Sequence, residues 1–382
     1  MKCLLGDIAE VTMGQSPKSE YYNNDGNGIP FLQGNRTFGR RYPTFDTYTT
    51  LATKMAKAGD VIMSVRAPVG DLNFTPVDMC LGRGVCSIRM NNGNQDYLYY
   101  LLKYNMPLLL NKESGTVFGS VNRNDIIGLE VEIEEDADKQ REIARYLSML
   151  DDKIEENEKI NSNLEQQMQA IFVNMFGESI DTLGECDTTL SDLVESVDNR
   201  GKTPPLSPDI TNYPIIDVRA LSGCSRIIDY NNCSKFVDEE TYNNWFRSGH
   251  PQPYDILIST VGSLAEMKIF LGAVGCIAQN VVGFRCKQVS PLYIYQYLNY
   301  IKNDLVAYNI GSVQPSIKVT HIIKHHIFLP DKSEIENFDA IAREMTNQIY
   351  SNCKENENLT QMRDTLLPKL MSGEVDLSNI DI

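Results

Sequence analysis

The sequence predicts an α+β fold made of two copies of one design, in which a strand-rich domain is followed by a long helix. Three observations support this prediction: an internal repeat with a period of about 195 residues, short apolar runs typical of strands, and two heptad-patterned segments. Of the 382 residues, 42% are hydrophobic, as is usual for globular proteins. No apolar run approaches the ~18 residues that a transmembrane helix needs, so we expect no membrane association.

The repeat consists of five blocks that recur in the same order. Between the blocks the halves differ, and residues 12–58 (the first insert) and 197–253 (the second insert) share little beyond length. We therefore predict strand-rich domains over residues 1–137 and 181–332, with helical segments over 138–180 and 333–382. The paired blocks are Leu5–Val11 and Leu190–Ser196, Gly59–Ser64 and Tyr254–Ser259, Tyr97–Leu102 and Tyr293–Leu298, Gly115–Ser120 and Gly311–Ser316, and Ile143–Arg145 and Ile341–Arg343.

Two long helices are predicted from apolar positions that step by four and three residues. One heptad seam runs from Ile143 to Met175 and the other from Ile341 to Leu366. Both seams are polar in the middle, which favours packing on each other in one register. They could instead pack into the core of a single domain. For the helix ends, the sequence predicts stops at Gly177 and Gly373, a capping box at Ser333 and Glu336, and an end or kink at Pro368.

Net charge is −16, whereas a nucleic-acid-binding protein is expected to be basic. The negative charge is unevenly distributed, however. Residues 136–181 and residues 331–382 each hold 5 basic and 11 acidic residues, so the two helical segments account for most of the imbalance. The strand-rich domains are nearly neutral, and each can present a basic face to DNA.

Motifs for catalysis are mostly absent from the sequence. No GxxxxGK[ST] loop, GxGxxG motif or NPPF/DPPY-type loop occurs, so we expect no ATP or methyl-donor site in this chain. The Gly82-Arg-Gly84 sequence predicts a tight turn. His321 and His325 have the spacing of two metal ligands but no third ligand nearby, so we predict no metal site.

One catalytic pattern leaves an alternative open. Asp255, Glu266 and Lys268 fit the loose D-x(10)-ExK spacing of metal-dependent nucleases. That chemistry needs two carboxylates for Mg²⁺ and a lysine beside the attacked phosphate. The alternative hypothesis is therefore a single-chain, Mg²⁺-dependent nuclease, although Asp255 also begins a repeated strand.

Candidate DNA-reading residues lie mainly in the two inserts. Arg and Lys pair with guanine, and Asn and Gln pair with adenine, at base edges. In the first insert the candidates are Gln33, Asn35, Arg36, Arg40, Arg41 and Lys54, and in the second they are Arg200, Lys202, Arg219, Arg226 and Arg247. Candidates for phosphate contacts in or beside the repeated blocks are Arg83, Asn122, Arg123 and Lys318. Any one of them alone could be an ordinary surface residue.

The chain resembles the specificity subunit of Type I restriction–modification systems. The motifs that carry the resemblance are Leu5–Val11, Gly59–Ser64, Arg141–Ile154 and Leu366–Val375. The resemblance implies two α/β target recognition domains, each reading one half of a split, asymmetric site in double-stranded DNA. It also implies that the two long helices pair as an antiparallel coiled coil and fix the distance between the domains.

The same resemblance implies a division of labour. Two modification subunits would carry the methyl-donor chemistry, and restriction subunits would cleave DNA, so this chain is expected to be no enzyme. It would bind no cofactor, while its partners would use S-adenosylmethionine, ATP and Mg²⁺. Nine cysteines without a CxxC pair, and no export signal, predict a cytoplasmic protein.

Overall fold

The computed structural model describes residues 1–111, 119–182, 187–272, 274–311 and 313–375. It divides into two compact units, one formed by Met1–Lys153 with the residues from Asn358 onward, the other by Ile154–Glu357. The division runs through the two long helices, whereas the predicted domain boundaries lie at their ends. Among the described residues, no helix is long and apolar enough to cross a membrane.

The first unit is built on two sheets. A four-stranded antiparallel sheet has the order β2-β10-β7-β8, and a five-stranded sheet has the order β3-β5-β4-β9-β6, with β4 parallel to β9. A short pair, β1-β11, joins the ends of the domain. The elements are β1 (Lys2–Leu4), α1 (Leu5–Ile8), β2 (Ala9–Met13), β3 (Tyr22–Asn23), β4 (Ile29–Leu32), β5 (Tyr48–Thr49), β6 (Met55–Ala56), β7 (Val61–Ser64), β8 (Leu72–Phe74), β9 (Met79–Leu81), β10 (Val85–Met90), α2 (Gln95–Leu110), α3 (Arg123–Ile127) and β11 (Glu130–Glu132).

The second unit repeats this plan, which confirms the internal repeat, except that residues 115–118 and 312 of one paired block lie outside the described residues. Its four-stranded sheet has the order β12-β17-β14-β15, in which each strand occupies the place of its counterpart in the first unit. The elements after α4 (Ala137–Phe172) are α5 (Glu178–Thr182), α6 (Leu190–Leu193), β12 (Val194–Val197), β13 (Ile215–Ile216), α7 (Glu239–Trp245), β14 (Ile256–Ser259), β15 (Met267–Ile269), β16 (Cys276–Ile277), β17 (Val281–Cys286), α8 (Pro291–Tyr300), α9 (Lys302–Ala307), α10 (Val319–Ile322) and α11 (Lys332–Met371).

The two inserts share more than the sequence suggested. In the first, β4 pairs in parallel with β9, matching Phe31 to Cys80. In the second, β13 pairs in parallel with β16, matching Ile215 to Cys276. Residues 12–58 and 197–253, which share little in sequence beyond length, thus each contain one equivalent strand.

Helices α4 and α11 pack on each other in antiparallel fashion within each unit, as expected. In the second unit the Asn157 amide donates to Glu355 and Asn356 at 2.7 and 2.8 Å, while Asn352 donates to Asn161 at 2.8 Å. Residue numbers thus rise along α4 where they fall along α11, so the two helices are antiparallel. The polar centres of the two seams face each other, and amide pairs of this kind favour a single register.

In the first unit, the two helices meet at a buried ion pair beside the main core. Arg363 Nη1 on α11 donates to Asp151 Oδ1 on α4 at 2.5 Å. Leu147 of α4 and Leu367 and Leu370 of α11 lie in the same apolar cluster as the four-stranded sheet. Each seam therefore serves both helix pairing and domain packing.

The helix ends show where local signals give way to tertiary structure. Gly373 (φ +73°) follows the end of α11, as predicted. Gly177 does not end the first helix, because the chain continues through a π-helical turn, Val173–Gly177, into α5. The predicted capping box is also displaced, since α11 begins at Lys332 and the Asp331 amide donates to Glu334 Oε2 at 3.1 Å. Pro368 lies inside α11 without ending it.

The aspartate that precedes β7 in the first unit and β14 in the second makes the same contacts in both units. The Asp60 carboxylate accepts the Lys57 amide at 2.8 Å and pairs with Arg89 at 2.5 Å. Asp255 accepts the Gln252 amide at 2.8 Å and pairs with Arg285 at 2.7 Å. Each aspartate is nearly fully buried and anchors its strand, β7 or β14, to the neighbouring strand, β10 or β17.

Candidate nucleic-acid interface

A group of loops lies at one edge of the sheets of the first unit. Strands β2 and β7 both end beside the start of β10, where Met13 faces Cys86 and Ser64 faces Val85. The parallel strands β4 and β9 end at the same edge. The loops that follow, residues 14–17, 33–36, 65–66, 82–84 and 120–123, form what we call the first loop cluster.

Backbone hydrogen bonds hold the first loop cluster together around the turn at residues 82–84. The Gly82 amide donates to the Leu32 carbonyl at 2.7 Å, and the Gly84 amide donates to the Gln33 carbonyl at 3.0 Å. The Arg83 amide donates to Ser16 Oγ at 3.1 Å. A Cβ at Gly14 would lie 2.1 Å from the Gly82 carbonyl oxygen, so only glycine fits there. The tight turn predicted at Gly82–Gly84 is confirmed.

Several candidates of the first insert lie on this cluster or beside it. Gln33, Arg83 and Lys54 are exposed, and the Lys54 carbonyl accepts the Leu81 amide, which places it next to the turn. Arg36 is 75% exposed and pairs with Asp46 at 2.6 Å. The remaining two are Asn35, whose amide donates to Asp71 at 2.5 Å, and the exposed Arg40.

The loop before α3 completes the first loop cluster. The Asn122 side chain accepts the amides of Asn124 and Asp125 at 2.8 and 3.2 Å, so its oxygen is occupied in capping the helix. Arg123 Nε donates to the Val11 carbonyl at 3.3 Å. Both predicted phosphate-contacting residues are thus held against the sheet edge.

The second unit builds a matching second loop cluster from residues 201–204, 217–219, 260–261, 278–280 and 316–318. The Ala278 amide donates to the Ile216 carbonyl at 3.0 Å, as Gly82 does to Leu32 in the first unit. Gln279 Nε2 donates to Thr203 Oγ1 at 2.9 Å, where the Arg83 amide donates to Ser16. The backbone bond to the preceding strand is thus shared, but at position 279 the side chain rather than the backbone amide contacts the neighbouring loop.

Four candidates of the second unit lie on the second loop cluster or next to it. Lys202 and Lys318 are exposed on it. Arg219 is exposed and pairs with Asp217 at 2.8 Å, which raises the pKa of Arg219. Arg200 pairs with Asp198 at 2.5 Å. Of the other candidates, Arg247 is exposed and donates to the Arg200 carbonyl at 3.4 Å.

Two candidates occupy a different place from the one expected. Arg226 is 0% exposed, and its guanidinium donates to Glu165 of α4 at 2.7 Å. Arg41 is 6% exposed and pairs with Asp152 of α4. The expectation that these arginines face DNA is not met, because their charges are turned inward against the helices.

The nuclease alternative is not supported. The Asp255 carboxylate is paired with Arg285, and Glu266 is paired with Lys302 at 3.0 Å. Lys268 is buried, which lowers its pKa, and its ammonium donates to the Gly223 carbonyl at 3.0 Å. Within the described residues, no group of three or more His, Cys, Asp or Glu side chains could hold a metal ion. The three residues thus have separate structural partners.

Comparison with known proteins agrees with this arrangement. Residues 2–166 match the family model of the type I restriction modification DNA specificity domain. This part of the chain is thus similar to the type I restriction–modification DNA specificity domain.

Relatives of this family extend the likeness beyond the matched domain. The chain is 36% identical over 164 residues to a Methanocaldococcus jannaschii protein named as the type I restriction enzyme MjaX specificity subunit, covering 42% of this chain and 38% of that protein. It thus matches well under half the length of that relative. It is 23% identical to the type I restriction enzyme MjaIX specificity subunit of the same organism, covering 98% of this chain and 93% of that protein.

A solved structure shows that the fold is shared over the whole length. The S subunit of a type I restriction–modification system from M. genitalium matches with a TM-score of 0.58 at 15% identity, covering 97% of this chain and 95% of that one. At this identity the match concerns the fold alone. The fold class predicted from the sequence is confirmed.

One repeated pattern in the two loop clusters was not among the predicted features. Gly14-Gln-Ser-Pro17 and Gly201-Lys-Thr-Pro204 share a G-x-[ST]-P pattern, and the hydroxyl of each meets the turn before β10 or β17. The pattern was visible in the sequence. Its spacing of 187 residues lies between the 185 of the blocks that begin at Leu5 and Leu190 and the 195 of the blocks that begin at Gly59 and Tyr254, so it belongs to the same repeat.

Proposed function

We propose that this chain is the DNA-recognition subunit of a type I restriction–modification complex and performs no catalysis itself. Each strand-rich domain reads one half of a bipartite, asymmetric site in double-stranded DNA. The observation that supports this most directly is the pair of loop clusters, which have one hydrogen-bonded frame but different side chains. Position 83 is arginine in the first cluster, and the equivalent position 279 is glutamine in the second.

The chemistry of these side chains suits two different half-sites, and we therefore assign Arg83 to base reading rather than to the phosphate contact expected from the sequence. Arg pairs with the O6 and N7 atoms of guanine, and Gln pairs with N6 and N7 of adenine. Cations such as Lys54 and Lys202 beside the clusters would add sequence-independent attraction to phosphates. Two frames with different readers would recognise an asymmetric sequence.

The remaining functions are assigned to partners. The long helices bind two modification subunits, which supply methyl transfer with S-adenosylmethionine, and restriction subunits join to cleave DNA with ATP and Mg²⁺. This chain binds none of those cofactors, and the complex acts in the cytoplasm. Residues 136–181 and 331–382, which contain the helical segments, each hold 11 acidic residues; they would be repelled by DNA and are therefore better suited to partner contacts.

Mapping methylated adenines tests the proposal. The full chain is co-produced with its modification subunit in a host free of other methylation systems. We expect one split motif with a fixed gap. Exchanging residues 1–135 for the matching domain of a relative should change one half of that motif and leave the other intact. A continuous motif, or a change in both halves, would contradict two independent recognition domains.

A further inference from the structure

The second insert is joined to both long helices by one buried arginine. Arg226 donates to the Glu165 carboxylate of α4 through its amide, Nε and Nη2, at 2.8, 3.0 and 2.7 Å. Its Nη1 donates to Thr346 Oγ1 of α11 at 3.0 Å. The ring centroid of Tyr295 lies 5.2 Å from the guanidinium carbon. The side chain is fully buried, and that of Glu165 is 15% exposed.

The first insert has its own arginine link to α4. Arg41 pairs with Asp152, and its guanidinium carbon lies 5.7 Å from the ring centroid of Phe74. The adjacent Asp151 accepts the Tyr100 hydroxyl at 2.7 Å and Arg363 at 2.5 Å. The first insert (Arg41), helix α2 (Tyr100) and helix α11 (Arg363) therefore all contact two consecutive aspartates of α4.

These links differ in kind from the apolar contacts of the inserts. Each insert contributes to a small apolar cluster distinct from the main core of its unit, one including Leu32 and Leu81 and the other including Ile216 and Leu221. Apolar contacts are not directional, whereas a planar guanidinium that bonds a carboxylate is: Arg226 bonds Glu165 through Nε and Nη2, and Arg41 bonds Asp152 through Nη1. Arg226 lies seven residues beyond Arg219 of the second loop cluster, so this directional contact lies close to the proposed DNA-reading loops.

We propose that Arg41 and Arg226 are positioning residues that fix the angle at which each insert presents its loop cluster to DNA, without contacting DNA themselves. This inference rests on the proposed function. Each arginine acts on its own half-site only, because the partners named above lie within its own unit.

The test separates positioning from simple stabilisation. Arg226→Met leaves Glu165 buried without a partner and should lower the Tm. Adding Glu165→Met removes that unpaired charge, and a buried ion pair replaced by apolar side chains of similar volume often keeps its stability. The double variant should therefore regain the Tm but not the directional link. Both are assayed as the full chain with the modification subunit, by binding to duplexes substituted singly in either half-site.

For the wild type, each mismatch should weaken binding by roughly 5- to 150-fold. In the double variant we expect this discrimination to fall at least about fivefold in the half-site read by the second domain, and to stay unchanged in the other. Arg41→Met should lower discrimination in the half-site read by the first domain and leave the other unchanged. Asp152 is 65% exposed, so its unpaired charge stays in water and needs no second substitution. The control is Arg141→Met, which breaks an exposed ion pair with Asp138 on α4 and should alter neither half-site.

Two results would overturn the inference. One is a double variant that regains both the Tm and full discrimination, since Arg226 would then act through stability alone. The other is equal loss in both half-sites. A wild-type complex that recognises no split site would instead refute the proposed function, which distinguishes the two failures.

Discussion

Inserting one heptad into each long helix tests whether the helices set the spacing of the two half-sites. The contacts of Asn157 with Asn356 and of Asn161 with Asn352 show which levels face each other. Seven residues placed between positions 161 and 162 of α4, and seven between 351 and 352 of α11, therefore enter at one level. A seven-residue insertion keeps the a/d seam in register.

The size of the effect follows from helix geometry. Seven residues lengthen a helix by ~10 Å at 1.5 Å per residue, or about three base pairs, since a helical turn of DNA spans ~34 Å over 10 to 10.5 pairs. The methylated motif should keep both half-sites and gain about three base pairs in its gap. Affinity should fall, because three added pairs also turn the far half-site by roughly 100° around the duplex.

Mapping methylated adenines for the insertion variant measures the gap directly. An insertion into α4 alone is the control, because it breaks the pairing of the seams and should abolish binding rather than lengthen the gap. Methylation of the same half-sites at the original spacing would refute the idea that the helices determine the distance.

Three further predictions concern single residues. Arg36→Ala should relax specificity in one half-site more than it weakens binding, whereas Arg123→Ala should weaken binding to all sequences and lower the salt slope by about one in titrations. Asp151→Asn should lower the free energy of unfolding by about 3 kcal/mol at neutral pH, because the buried Arg363 loses the carboxylate of Asp151. Burial raises the pKa of Asp151, but hydrogen bonding by Tyr100 and the charge of Arg363 outweigh it and hold this pKa below its ordinary value. The greater stability of the wild type should therefore persist above about pH 4 and disappear as the pH falls further. Denaturant unfolding at a series of pH values measures this. Gly59→Ala should lower the free energy of unfolding by ~1–2 kcal/mol in the same assay, because φ is +84° at this residue. No neighbouring atom lies within 4 Å of an added Cβ, so the loss would come from the backbone conformation alone. An unchanged unfolding midpoint would contradict this.

The repeated scaffold could be predicted from the sequence because its signals are local. An apolar run directly after an aspartate marked β7 and β14, and the structure gives Asp60 and Asp255 the same amide and arginine partners. The pairing of the two heptad seams could likewise be predicted from the polar positions in the middle of each seam. The polar positions Asn161 and Asn352 meet across the seam.

The roles of individual arginines could not be predicted, because they depend on the path of the chain in three dimensions. Arg226 lies in a polar loop segment and differs in no local respect from Arg219, yet one is buried against α4 and the other is exposed. Gly177 failed as a helix stop for a similar reason. The packing of Phe172 and Phe176 into the core of the second unit accompanies continuation of the helix through a π-helical turn.

The division between backbone and side chain in the loop clusters explains how one fold can serve different sequences. The turn before β10 is held by the amides of Gly82, Arg83 and Gly84, and none of these bonds involves the guanidinium of Arg83. The turn before β17 keeps its bond from the amide of residue 278 to β13, but there the side chain of Gln279 itself donates to Thr203 Oγ1. In the first loop cluster the side chain at position 83 can therefore change without loss of the backbone bonds, so the proposed recognition could diverge there while the fold is kept. The inward arginines differ in this respect, because replacing Arg226 leaves a mostly buried carboxylate unpaired. Exchange of whole domains should therefore be tolerated best where the arginine and its acidic partner on the helix are kept together.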